Sequence, residues 1–177
     1  MSRFREIEGK KSDLLDRLSR WTDDQLYFSP AAAQWSAVQV VDHLVRTESE
    51  IQKVVLRGLS NPHRIGLSDR ARTLFLNTIF KSDRKVSVPK SGSVVLPVTG
   101  LSLQAVADRW DTSRKELAQI LQDVSESNLR KGVFRHPVGG WMNMNSVLEF
   151  FSVHITHHEH QLKRLSDAYS RSALAAR

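Results

Sequence analysis

A chain of 177 residues, 40% hydrophobic and 25% charged, is long enough to bury a real core as one domain. It has no cysteine, which excludes disulfides and thiolate ligands, so any metal must sit on His, Asp, Glu or water. The net charge of +7 suits an anionic small substrate, but Lys and Arg are spread along the chain with acids between them, which reads as a solvated surface more than a nucleic-acid footprint.

The first residues, Met1 to Glu6, contain no apolar signal-peptide core. No apolar run approaches the roughly 18–20 residues a membrane span needs, so a cytoplasmic protein without a membrane partner is expected. Eight Gly and five Pro are few and favour helices over a turn-rich β fold. From Ser2 to Trp21, Phe4, Ile7, Lys11, Leu14, Leu15 and Leu18 recur at three- and four-residue spacing and predict a first helix. Thr22-Asp23-Asp24-Gln25 carries capping-type residues, and Tyr27-Phe28-Ser29-Pro30 breaks the pattern. Ser36, with Gln39 three residues on, has the form of a capping box and opens a second helix to about Leu59, ended between Gly58 and Pro62. Its main stripe is Val38, Val41, Leu44, Val45, Val55 and Leu59; His43 falls at the edge, where periodicity alone makes it a boundary residue.

Residues 61–100 read as a long crossover. Ala71 to Phe80 predicts a short helix, and Val86 to Val88 and Val94 to Val98 predict extended segments or a hairpin, with Pro89 and Pro97 arguing against a central strand. Ser102 caps a third long helix to about Val124, with Leu103, Val106, Trp110, Leu117, Ile120, Leu121 and Val124 on one stripe. Val133 to Trp141 is a turn-rich connector. Asn145 or Ser146 is then expected to cap a last helix to about Tyr169, followed by a frayed tail over 170–177. Four long amphipathic helices with one long connection describe an all-α four-helix bundle with a crossover.

The last helix carries four of the seven histidines: His154, His157, His158 and His160. At about 100° per residue, Val147, Leu148, Phe151, Ile155, Leu162 and Leu165 form one apolar sector. His158 points into its middle, His154 lies on its edge with Gln161 beside it, His157 is further round, and His160 points away. Two imidazoles at i and i+4 can reach one metal ion, which would relieve the cost of burying their polar nitrogens. The spacing equally suits two core histidines that are satisfied separately.

Three motifs then resemble the DinB-like (DinB/YfiT) superfamily in their order and spacing. They are Trp35-Ser36 with His43-Leu44, the turn His136-Pro137-Val138-Gly139-Gly140, and His154, His158, Gln161, Leu162 as His-x-x-x-His-x-x-Gln-Leu. The resemblance implies a four-helix bundle with a crossover, and a divalent metal held by three histidines that map onto His43, His154 and His158. It implies a metal-dependent enzyme acting on a small molecule, by thiol-dependent S-transferase chemistry or by hydrolysis, with a low-molecular-weight thiol as cofactor or co-substrate and a homodimeric state. Zinc and nickel suit imidazole best, and iron and manganese stay open. Gln161 is the first candidate to hydrogen-bond the ligand rings and His157 the second; His136 belongs to the turn motif and is expected to fix the turn. Two competing readings are a basic helical protein associated with nucleic acid, and a ligand-binding bundle that does not catalyse.

Overall fold

A computed structural model describes residues 2–32, 34–83 and 94–175. Of the described residues, 74% are helical. Four long helices form the bundle: α1 (Ser2–Leu18), α3 (Ala37–Ser60), α5 (Leu103–Asp123) and α7 (Met144–Ala175). Between them lie the short α2 (Asp23–Tyr27), α4 (Leu67–Lys81), α6 (Glu126–Leu129) and the strands β1 (Phe134–His136) and β2 (Gly140–Met142).

Local chemistry explains most boundaries. Thr22 and Ser36 each cap the following helix through a reciprocal box with Gln25 and Gln39. The Ser102 hydroxyl accepts the Ala105 N–H at the start of α5. At α7 the cap differs from the expected one: Asn143 Oδ1 accepts the Ser146 N–H at 2.8 Å, and the helix begins at Met144. It continues through Ala175 rather than ending near Tyr169, with its last turns exposed. α4 begins at Leu67, ahead of the expected Ala71, because the Asp69 carboxylate accepts the Gly66 N–H and supplies the missing start signal. The connector expected after Val133 is a hairpin, Phe134 pairing with Met142 and His136 with Gly140. Residues 94–98 form no strand, and the segment expected over Val86 to Val88 lies outside the described residues.

Side-chain contacts fix the helix directions. Arg3 meets Glu149, Lys10 meets Thr156 and Arg17 meets Glu159, so α1 and α7 run the same way. Asp42 meets Arg109, and Glu48 meets Arg114, so α3 and α5 also run the same way. Glu8 and Lys11 meet Arg114 and Asp111, which sets those two pairs antiparallel. Two consecutive long helices pointing one way need a return path between them. α4 supplies it: Thr73 bonds Gly139, Phe80 packs on Phe150, and Asp83 pairs with Arg164, so α4 climbs alongside α7. That return is the crossover.

The core divides into two apolar clusters, one around Ile7, Ile51, Val55, Leu117 and Val147 and the other around Leu14, Leu18, Val41, Leu44, Trp110 and Leu162. The six apolar residues predicted for the inward sector of the last helix are all buried. Buried polar groups also line the interior, including His43, Glu48, Gln52, Arg114, His154 and His158. Gly58 lies so close to the hairpin that a Cβ there would stand 1.9 Å from the Val133 carbonyl oxygen, so only glycine permits this approach of α3. Among the described residues, no helix is long and apolar enough to cross a membrane.

A buried three-histidine centre

His43 sits in the second turn of α3, and His154 and His158 sit one turn apart on α7. Each ring offers one nitrogen to a common point, these atoms lying within 4.8 Å of one another, and all three residues are buried. The ring centroids of His43 are 5.2 Å from His154 and 4.9 Å from His158. Residues from two helices, more than a hundred positions apart in sequence, are thus brought together. His43 is carried fully inward despite its edge position on the predicted stripe. The reason is that α3 is covered on two sides, by α5 and α7, so its buried arc is wider than one stripe.

Tautomers follow from the neighbours. His43 Nδ1 lies 2.7 Å from the Val95 carbonyl oxygen. A carbonyl can only accept, so Nδ1 carries the proton and Nε2 keeps its lone pair. His158 Nδ1 lies 2.8 Å from Gln161 Oε1, which leaves its Nε2 as a lone pair too. That nitrogen is 3.0 Å from His154 Nε2, while His154 Nδ1 is buried without a partner. If His154 protonates Nε2, it can donate to His158, and its Nδ1 becomes a buried lone pair with no donor. If it protonates Nδ1, three Nε2 lone pairs face one another. A cation at the common point would take all three lone pairs and leave only the His154 Nδ1–H without a partner, so the donor set fits a divalent metal on chemical grounds.

Burial lowers the pKa of His43, although the Val95 carbonyl and Asp42 oppose the shift. Burial also drives His154 and His158 well below the ordinary imidazole value, with the neighbouring rings adding to it. Three neutral imidazoles are the state that ligates metal.

The segment that fixes His43 is itself held by the preceding residue. Asp42 is fully buried. It accepts from Arg46 Nε at 2.9 Å, Arg109 Nη1 at 2.8 Å and the Val98 N–H at 3.0 Å. One carboxylate therefore clamps α3, α5 and the 94–98 segment, and so places the Val95 carbonyl over His43. Sequence spacing gives no sign of this indirect role.

The other named residues divide. Gln161 contacts His158, not the His154 beside which the helical projection places it. His157 is buried, its ring 5.0 Å from Phe80 and 5.1 Å from His158, with Nδ1 unpartnered. Burial and the nearby Arg164 charge lower its pKa to about 4. The single-helix projection leaves His157 off the apolar face; α4 buries it. His136 Nδ1 accepts the N–H groups of Val138 at 3.1 Å and Gly139 at 3.0 Å, closing the hairpin turn. Burial lowers its pKa to about 4, which keeps that nitrogen free to accept. Its ring packs on Phe150, which in turn stacks on His154. Trp35 packs against His43 at 4.9 Å and forms one wall of a cavity of about 490 Å³ between the α2–α3 linker and residues 98–101. None of the three histidines lines that cavity.

With the bundle, its crossover and this histidine set described, the class can be stated. A DinB superfamily model matches residues 6–162, and the chain belongs to that superfamily. No curated protein and no solved structure matches it.

Proposed function

We propose that the protein is a metal-dependent enzyme holding one divalent cation on His43, His154 and His158, with thiol S-transfer to a small electrophile as its reaction. The observation that carries this reading is the convergence, in a buried setting, of nitrogens whose lone pairs at His43 and His158 are fixed by Val95 and Gln161. Three neutral imidazoles leave a cation open positions, at which it would favour a thiolate or lower the pKa of water towards about 7. Zinc and nickel are the metals this nitrogen set suits best, ahead of iron and manganese. In the transfer, the thiol sulfur bonds the electrophilic carbon, the leaving group departs with its electron pair, and the thiol proton passes to solvent. Hydrolysis would use the same centre, with water in place of the thiol.

Elemental analysis of tag-free protein purified without a chelating column tests the centre. About one divalent metal per chain is expected, and His154→Ala or His158→Ala abolishes it. Stoichiometric metal retained in the double variant defeats the proposal. Thiol-dependent loss of an electrophile such as a halonitrobenzene separates transfer from thiol-independent ester hydrolysis.

A homodimer completes this reading. Leu67, Leu74 and Phe75 are 83%, 70% and 62% exposed and share one outward stripe of α4. Phase-resolved sedimentation should give a dimer that Phe75→Glu converts to a monomer; a wild-type monomer at all concentrations removes this part.

A further inference from the structure

Beside the three histidines lies a second set of groups that metal binding does not use. His157 is 5% exposed and its Nδ1 has no partner. Arg164 lies seven residues further along α7, which returns it to within about 20° of the His157 direction and about 10 Å up the axis. Long side chains on a helix lean towards its N-terminus, the direction in which His157 lies, and the Arg164 charge is among those that act on the His157 ring. A second element confirms that level. Phe80 of α4 packs on both His154 and His157, at 5.5 and 5.0 Å. One turn beyond it, Asp83 at the end of α4 pairs with Arg164. The Arg164 side chain is one-third exposed and Asp83 two-thirds exposed, so the pair stands at the rim and is reachable from solvent.

We propose that Arg164 and His157 form an anion subsite adjoining the metal centre, which binds a carboxylate of the substrate or thiol co-substrate in place of Asp83. The inference rests on the metal-centre reading above and adds the chemical class of the ligand. A guanidinium presents two parallel N–H donors that match a carboxylate, and an imidazole N–H beside it adds a third. In the absence of ligand the Asp83 carboxylate occupies the guanidinium, which keeps a cation at the rim compensated. An exposed pair of this kind is weak, so the carboxylate of a ligand whose other end is held at the metal centre displaces it readily. The three rings fix one end of the ligand and Arg164 fixes the other, so both identity and orientation are selected. Asp83 then acts as a competitor whose removal tightens binding.

The test uses protein loaded with Co(II), whose thiolate absorption reports sulfur binding. 3-Mercaptopropionate and the neutral 3-mercaptopropanol are titrated at constant ionic strength. The acid is expected to bind about tenfold tighter than the alcohol, and D83N to widen that ratio. R164M should bring the two dissociation constants together. K163M, which removes an equal charge from an exposed neighbouring position, should leave the ratio as it was. Equal binding of acid and alcohol by the wild-type protein overturns the subsite and leaves the metal centre standing. If the protein takes up no cobalt, the metal-centre reading falls. In that case acetate-dependent thermal stabilisation that R164M removes sustains the subsite, and its absence overturns it.

Discussion

Two buried polar groups project from opposite faces of α3, and they are solved differently. Towards α5, Glu48 is fully buried, and each oxygen has a donor: Trp110 Nε1 at 2.9 Å and Arg114 Nη2 at 2.7 Å. Burial raises its pKa while Arg114 and the indole N–H pull it back. Towards α7, His43 meets two further imidazoles, and the facing nitrogens of His43 and His158 carry lone pairs. The first group finds its opposite charge within the chain, although Arg114 Nε and Nη1 keep no hydrogen-bond partner. The second is a set of like donor atoms, which a cation from outside would complete. Buried polarity by itself does not mark a functional site, and neither does a single unpartnered atom; what separates the two groups is that one is paired with opposite charge and the other gathers like lone-pair donors.

The contrast can be broken most forcefully at the charge-paired group. Glu48→Leu leaves the Arg114 guanidinium without its nearest carboxylate in the core and is expected to cost about 3–5 kcal/mol in urea unfolding. The folded fraction should still bind metal stoichiometrically; loss of metal would mean that the two groups are one network. Pairing it with Arg114→Met should recover most of the stability, since two apolar residues replace two charges.

At the junction of the two groups, Asp42→Asn weakens the clamp on Arg46, Arg109 and Val98. The expected cost is about 2 kcal/mol, from hydrogen bonds to a charged group. Because the Val95 carbonyl moves with the clamp, metal affinity should fall about 10-fold or more. Calorimetric titration with zinc checks this, and unchanged affinity would sever the link between Asp42 and His43.

Gln161→Leu acts on the open group alone. It removes the acceptor that fixes His158, and zinc affinity should drop about 10–100-fold with little change in the unfolding midpoint. A larger change in stability than in affinity would make Gln161 a packing residue.

A last effect is graded by pH. A histidine held neutral in the folded chain, but free to protonate near 6.5 in the unfolded one, costs nothing above that pH. Below it, the unfolded chain takes up protons that the folded chain refuses. Stability of the metal-free protein then falls by about 1.4 kcal/mol per pH unit for each such ring. For His136 and His157 the window extends down to about pH 4. Urea midpoints should fall between pH 7 and pH 5, and His157→Gln should reduce the fall by one ring's share. A pH-independent midpoint would mean that these rings are hydrated.

Much of this was legible before any coordinates. The capping box at Ser36, the capping-type residues from Thr22, the stripe on the last helix and the inward aim of His154 and His158 are local facts of spacing, and they hold. The start of α4 was less legible, because its signal is a single carboxylate, Asp69, that also accepts the Trp141 N–H of the hairpin 72 residues away. The hairpin was missed because two three-residue strands are too short to show alternation.

The sequence by itself determined the helices and the direction each side chain takes from its own axis, because hydrogen bonding within a helix and 3.6-residue periodicity are properties of neighbours along the chain. The tertiary structure decided which faces are covered twice. It took His43 inward, laid α4 over His157, and set the Val95 carbonyl on a ring 52 residues earlier. Those outcomes depend on which helices run alongside one another, and no local pattern encodes that. They follow from the demand that every apolar face and every buried polar atom find a partner at once.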